Sequence, residues 1–175
     1  MHLIDVKSPA DLKGLSISEL TDLTAQARQA MMTKVSEHGG HVGPPMGAAE
    51  MIMALHYVFN SPVDKIVYDV SHQSYVHKMV TGRALAFLDH NHYDDVTGYT
   101  DPTESEHDFF NIGHTSTSIS LASGLATARN LKGDSENIIA IIGDGSLSGG
   151  EAFEGLDYAA TLDSNMIIIV NDNDQ

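Results

Sequence analysis

The chain has 175 residues, 42% of them hydrophobic and 19% charged, which bounds one globular domain, or part of one, with material for a core. Nine basic residues stand against 24 acidic ones, a formal charge of −15, so nucleic acid and anionic membrane surfaces are excluded as partners for want of a basic patch. There is no cysteine, which excludes disulfides, thiolate metal sites and thiol nucleophiles, and the scarcity of Lys and Arg means that a phosphate-bearing ligand must be met by a metal, backbone N–H groups or histidines.

The N-terminus, Met1-His2-Leu3-Ile4-Asp5, lacks the basic head and apolar run of a signal peptide, and the longest apolar runs, 138–142 and 166–170, fall far short of a membrane span. The expectation is a cytoplasmic protein. Ser8-Pro9 fits an N-cap followed by proline at the first helical position. Ser16 and Glu19 form a capping box, and Leu20, Leu23, Ala27, Ala30, Met31 and Lys34 keep helical spacing up to Gly39-Gly40. A second helix is predicted over 47–59. Residues 65–70 are β-branched and aromatic, a strand that delivers Ser71-His72 at its carboxyl end. Residues 84–112, polar and turn-rich, read as a long loop of the functional kind.

The second half is more regular. A helix of small residues is predicted over 115–131, closed by Gly133, followed by a buried strand over 137–142. Another helix over 149–161 leads to a strand over 165–170. The fold class is therefore α/β, a parallel sheet flanked by helices, whose ligands bind beyond the carboxyl ends of the strands.

Past one strand lies Gly143-Asp144-Gly145-Ser146, and past the next Asn171-Asp172-Asn173-Asp174-Gln175. If the strands are neighbours, Asp144 and Asn173 enter one crevice, and a carboxylate, an amide oxygen and a backbone carbonyl suit Mg²⁺ that also holds phosphate oxygens. A Gly-Asp-Gly alone is ordinarily a turn after a strand. Ser148 stands where a dinucleotide fingerprint needs its last glycine, which sets a dinucleotide oxidoreductase far behind, and no Walker lysine follows. The pairing of Gly-Asp-Gly with Asn-Asp-Asn across one β-α-β unit is what makes the pattern specific.

That pairing resembles the diphosphate and metal motif of thiamine diphosphate enzymes. Asp69-Val70-Ser71-His72-Gln73-Ser74-Tyr75-Val76-His77-Lys78 resembles a block of the 1-deoxy-D-xylulose-5-phosphate synthases, as do Glu104-Ser105-Glu106-His107-Asp108 and Gly113-His114-Thr115-Ser116-Thr117-Ser118-Ile119-Ser120. With 143–154 and 171–174 the resemblance runs in order from about residue 17 to the end. It implies a thiamine diphosphate-binding fold, with residues 1–175 as a single partial domain, the incomplete diphosphate-binding module. It implies thiamine diphosphate and Mg²⁺ as cofactors, with Asp144, Asn173 and the carbonyl of Gln175 on the metal, and Gly145 and Ser146 on the diphosphate. His72, Gly113, His114, Thr115 and Asn173 match cofactor-binding positions; His41, His72 and His114 are the catalytic candidates, His41 as a histidine near the substrate that moves a proton during addition to a carbonyl.

The implied reaction decarboxylates pyruvate and joins the two-carbon unit to glyceraldehyde 3-phosphate, feeding isoprenoid, thiamine and pyridoxal precursors, in a homodimer. Ser71 stands where the family usually has glycine, Thr115 where it usually has serine, and Gln175 where methionine is frequent. Gly40-His41-Val42-Gly43-Pro44-Pro45-Met46-Gly47 resembles the transketolase version, so the N-terminal subunit of a split transketolase is the alternative reading. No residue in 1–175 matches the family's activating glutamate. The chain alone is therefore expected to be inactive, to need a pyrimidine-binding module from elsewhere, or to be a fragment that at most binds cofactor. Outside the motif, His38 suits a helix C-terminus, His56 a satisfied core position, and His90 and His92 a polar loop. His77 and Lys78 are open between a phosphate role and a solvated face, and the methionines at 31, 32, 46, 51 and 53 read as packing.

Overall fold

The computed structural model describes residues 1–172, which form two compact units: Met1–Asn60, His72–Gly98 and Thr103–Ser105 in the first, Ser61–Ser71, Tyr99–Pro102 and the chain from Glu106 onward in the second. Asn173 and Gln175 lie outside the described residues.

The first unit is helical. Helix α1 (Ile17–His38) starts on the predicted capping box: the Ser16 hydroxyl accepts the Glu19 amide at 3.3 Å, and the Glu19 carboxylate accepts the Ser16 amide at 2.8 Å. It stops at Gly39, whose φ of +89° is left-handed backbone that glycine adopts without strain. The predicted helix over 47–59 is two helices, α2 (Gly43–Gly47) and α3 (Ala49–Val58), hinged at Ala48. Pro44-Pro45 accounts for the earlier start, since proline supplies helical φ in a first turn that needs no N–H. Leu23, Ala27, Ala30 and Met31 of α1 and Ile52 and Met53 of α3 are buried, and the Arg28 guanidinium pairs with Glu50 beside them. The Lys13 ammonium closes the last turn of α3 by donating to the carbonyls of Tyr57 at 2.9 Å and Phe59 at 2.7 Å. His56 is a core residue, as expected, with Nε2 2.8 Å from Nδ1 of the equally buried His77. Among the methionines, Met31 and Met53 are packed, but Met32 is 45% exposed.

Helix α4 (Tyr75–Lys78) leads through a kink at Thr81 and Gly82 into α5 (Leu85–Leu88) and a 3-10 turn at His90–Asp95. These elements replace much of the long polar loop expected over 84–112. Ala86, Phe87 and Tyr93 are buried, and the Lys34 ammonium of α1 donates to the carbonyls of Ala86 at 3.0 Å and Tyr93 at 2.8 Å. Burial, reinforced by the charge of Lys78, pushes the Lys34 pKa down.

The second unit holds the parallel sheet, strands β1 (Lys65–Tyr68), β2 (Ile138–Gly143) and β3 (Ile167–Asn171) in that spatial order. The Asp64 carboxylate fixes the start of the first pair by accepting the backbone and side-chain amides of Asn137 at 2.8 and 2.9 Å. Helix α6 (Ser118–Lys132) lies on the sheet, and its Ile119, Ala122 and Ala126 join Val67, Ile138, Ala140 and Ile142 in one core. Beyond β2 come α7 (Asp144–Leu147) and α8 (Gly150–Thr161). Helices α6 and α8 meet closely, because Gly155 has no side chain: a Cβ there would stand 3.0 Å from the Ser120 hydroxyl.

Candidate functional site

Strand β1 ends two residues earlier than the sequence predicts. Val70 and Ser71 both take left-handed backbone, φ 56° and 69°, which is costly for a β-branched residue and for serine alike. Ser71 is held by its own hydroxyl, wholly buried, which donates to the Ile112 carbonyl at 2.8 Å and accepts the Thr100 amide at 3.0 Å. The change from the family's usual glycine is thus compensated by two hydrogen bonds that glycine cannot make.

Just before this bend, the buried Asp69 carboxylate accepts the amides of Ser116 and Ser118, each at 2.9 Å. It therefore serves as an anionic cap on α6, which begins at Ser118 and not at Thr115. The preceding residues Gly113, His114 and Thr115 form an exposed loop, with the His114 Nδ1 2.7 Å from the Thr115 carbonyl, and Gly113 and His114 line a cleft with Asn111, Ser120 and Glu151. Ser116, at φ 72°, donates its hydroxyl to the Ser146 carbonyl at 2.7 Å. A Cβ on Gly149 would collide with that same hydroxyl. One hydrogen-bonded chain thus joins the end of β1, the His114 loop and the turn after β2.

In that turn Asp144 opens α7, directly after Gly143, whose register partner is Asn171 of β3. Asp144 and Asp172 therefore leave the carboxyl ends of adjacent strands, while Asn173, the residue expected beside Asp144, lies outside the described residues. A Cβ built on Gly143, Gly145 or Gly113 meets nothing within 4 Å, so the backbone there is open to close approach. A carboxylate at Asp144 and the open backbone at Gly145 are donor types that suit a hard divalent cation and a diphosphate. Among the described residues no three of His, Asp and Glu gather as a metal cluster.

In the first unit the structure brings His41 and His72 together, ring centroids 5.2 Å apart and nearly edge-on. Tyr75 joins them, its hydroxyl 3.1 Å from the His41 amide and 3.3 Å from Nδ1. The sequence alone gives Tyr75, Asp69 and Ser116 no role. All three stand inside the motif blocks, yet only the fold shows which atoms they hold. His77 and Lys78 are buried and not solvated, and Lys78 is paired with Glu104. His92 pairs with Asp95 at 2.7 Å, and His90 with Asp89 at 3.7 Å.

The sequence model of a family described as 1-deoxy-D-xylulose-5-phosphate synthase matches residues 3–175. The chain belongs to the 1-deoxy-D-xylulose-5-phosphate synthase family. A 1-deoxy-D-xylulose-5-phosphate synthase of Symbiobacterium thermophilum is 49% identical over 173 residues, 99% of this chain and 27% of that protein. One of Caldanaerobacter subterraneus subsp. tengcongensis is 50% identical over 172 residues, 98% of this chain and 28% of the relative. The chain thus spans about a quarter of the length of the curated synthases it matches, and corresponds to their N-terminal part. No helix among the described residues is long and apolar enough to cross a membrane.

Proposed function

We propose that the protein carrying this chain is a 1-deoxy-D-xylulose-5-phosphate synthase dependent on thiamine diphosphate and Mg²⁺, which decarboxylates pyruvate and condenses the two-carbon unit with glyceraldehyde 3-phosphate. The observation that carries the reading is the turn after β2, where Asp144 follows a strand whose last residue is in register with Asn171, within a chain of this family. On this reading Asp144 ligates Mg²⁺ together with Asn173 and the carbonyl of Gln175. Gly145 and Ser146 bind the diphosphate through amides that no Cβ obstructs at Gly145. His72, Gly113, His114 and Thr115 orient the cofactor, and His41 meets the substrate carbonyl. The cofactor supplies the stabilised carbanion chemistry, and the chain's residues anchor and aim it. The protein acts as a cytoplasmic homodimer, and the aminopyrimidine is activated by a module outside these residues.

The test is a calorimetric titration of thiamine diphosphate into the enzyme as its native gene encodes it, with and without Mg²⁺. Asp144→Ala is expected to abolish Mg²⁺-dependent binding; unchanged affinity overturns the metal assignment. Pyruvate-dependent CO₂ release separates the synthase from a transketolase, which uses a sugar phosphate donor.

A further inference from the structure

Tyr75 is 4% exposed, and its ring leans on Phe87 with centroids 5.4 Å apart. Two contacts converge on its hydroxyl oxygen: the His41 backbone N–H at 3.1 Å and the His41 Nδ1 at 3.3 Å. An amide N–H only donates, so it takes one lone pair of the phenol oxygen, which keeps its proton to give. When that proton is given to Nδ1, Nδ1 is the acceptor and the imidazole carries its own hydrogen on Nε2.

The backbone closes around this couple. Gly40 has a φ of +134°, and a Cβ there would stand 2.9 Å from the Tyr75 hydroxyl. A Cβ on Gly98 would lie 3.6 Å from the same hydroxyl and 3.7 Å from His41 ring atoms. With Phe87 behind the ring and two glycine backbones beside the hydroxyl, Tyr75 has little freedom to rotate away.

We propose that Tyr75 is a positioning residue that locks His41 as the Nε2–H tautomer, so that His41 meets its substrate as a neutral hydrogen-bond donor and not as a base. The proposal rests on the reading of His41 as a substrate-facing residue and defines what that residue offers. Addition to a carbonyl builds negative charge on oxygen, and a fixed N–H donor stabilises that charge without a proton being removed from carbon or oxygen. No bond to His41 forms or breaks in this role.

The experiment uses the enzyme as its native gene encodes it, labelled with ¹⁵N at histidine, with His41 assigned by the signals lost in His41→Ala. Long-range ¹H–¹⁵N correlation is expected to show a protonated Nε2 and a bare Nδ1 in the parent, and a mixture of tautomers in Tyr75→Phe. A parent His41 protonated at Nδ1, or a Tyr75→Phe spectrum identical to the parent's, overturns the proposal. In steady-state kinetics Tyr75→Phe is expected to lower kcat about tenfold with KM for both substrates changed less than about twofold, the loss of roughly one hydrogen bond's worth of transition-state stabilisation. Unchanged kcat, or a loss tracking only the folded fraction, overturns it. Full turnover in His41→Ala removes His41 from the substrate side, while the tautomer measurement still decides its coupling to Tyr75.

Discussion

The Lys78 ammonium lies 2.5 Å from the Glu104 carboxylate, with no part of the lysine side chain exposed. Arg83 reaches the same carboxylate oxygen at 3.0 Å, and the other oxygen accepts the Thr97 amide at 2.6 Å. One carboxylate therefore neutralises two cations that have little water to turn to.

Glu104→Gln removes the carboxylate that both cations share and is expected to cost about 3–5 kcal/mol of stability, the range for breaking a buried pair from one side. Lys78→Met leaves the Arg83–Glu104 pair intact and costs less. Denaturant unfolding of both variants checks the order, and a reversed order means that Glu104 is not the hub.

Ser71 makes a second pair of variants informative. Ser71→Gly relieves a left-handed φ worth about 1 kcal/mol but strands the buried Thr100 N–H and Ile112 carbonyl, at about 1–3 kcal/mol. Ser71→Ala loses the same bonds and keeps the strain. Melting temperatures are expected to fall in the order parent, glycine, alanine; glycine above parent means that the hydroxyl contributes nothing.

Acid sensitivity is expected from Glu50. Its hydrogen bond with the Arg28 guanidinium holds the carboxyl below its ordinary pKa of 4.5. A depressed folded pKa means stabilisation fully present above 4.5 and lost as pH falls through the folded value. Glu50 is 63% exposed at the side chain, so the effect stays under about 1 kcal/mol. Arg28→Met flattens the stability profile below pH 4.5, and an unchanged slope assigns the acid response to other carboxylates.

Much of this fold is legible in the sequence where periodicity and caps agree. Ser16, Glu19 and Gly39 bracket α1 to the residue, and the apolar runs give β2 and β3 within a residue or two. The stretch 84–112 is not legible, because α5 has four residues, too few for a helical period to register against polar neighbours. The end of β1 is hidden for another reason: Val70 has high strand propensity, yet the backbone turns there to let Asp69 reach the α6 amides. The candidate site is legible as residue types in order. Its struts, Asp69 to Ser116 and Tyr75 to His41, join residues 47 and 34 positions apart, and a single sequence has no term for such distances.

Strand β3 has one neighbour among the described residues, β2, and four consecutive branched aliphatics, Ile167-Ile168-Ile169-Val170, none of them fully buried. Where it is left unpaired, an edge of that composition is a template for strand addition between molecules. The charge of −15 is the counterweight, since like-charged copies repel at long range and salt screens that repulsion. Wherever that edge stays unpaired, colloidal behaviour is therefore tied to ionic strength: dilute buffer keeps the edges apart, and concentrated salt lets them meet.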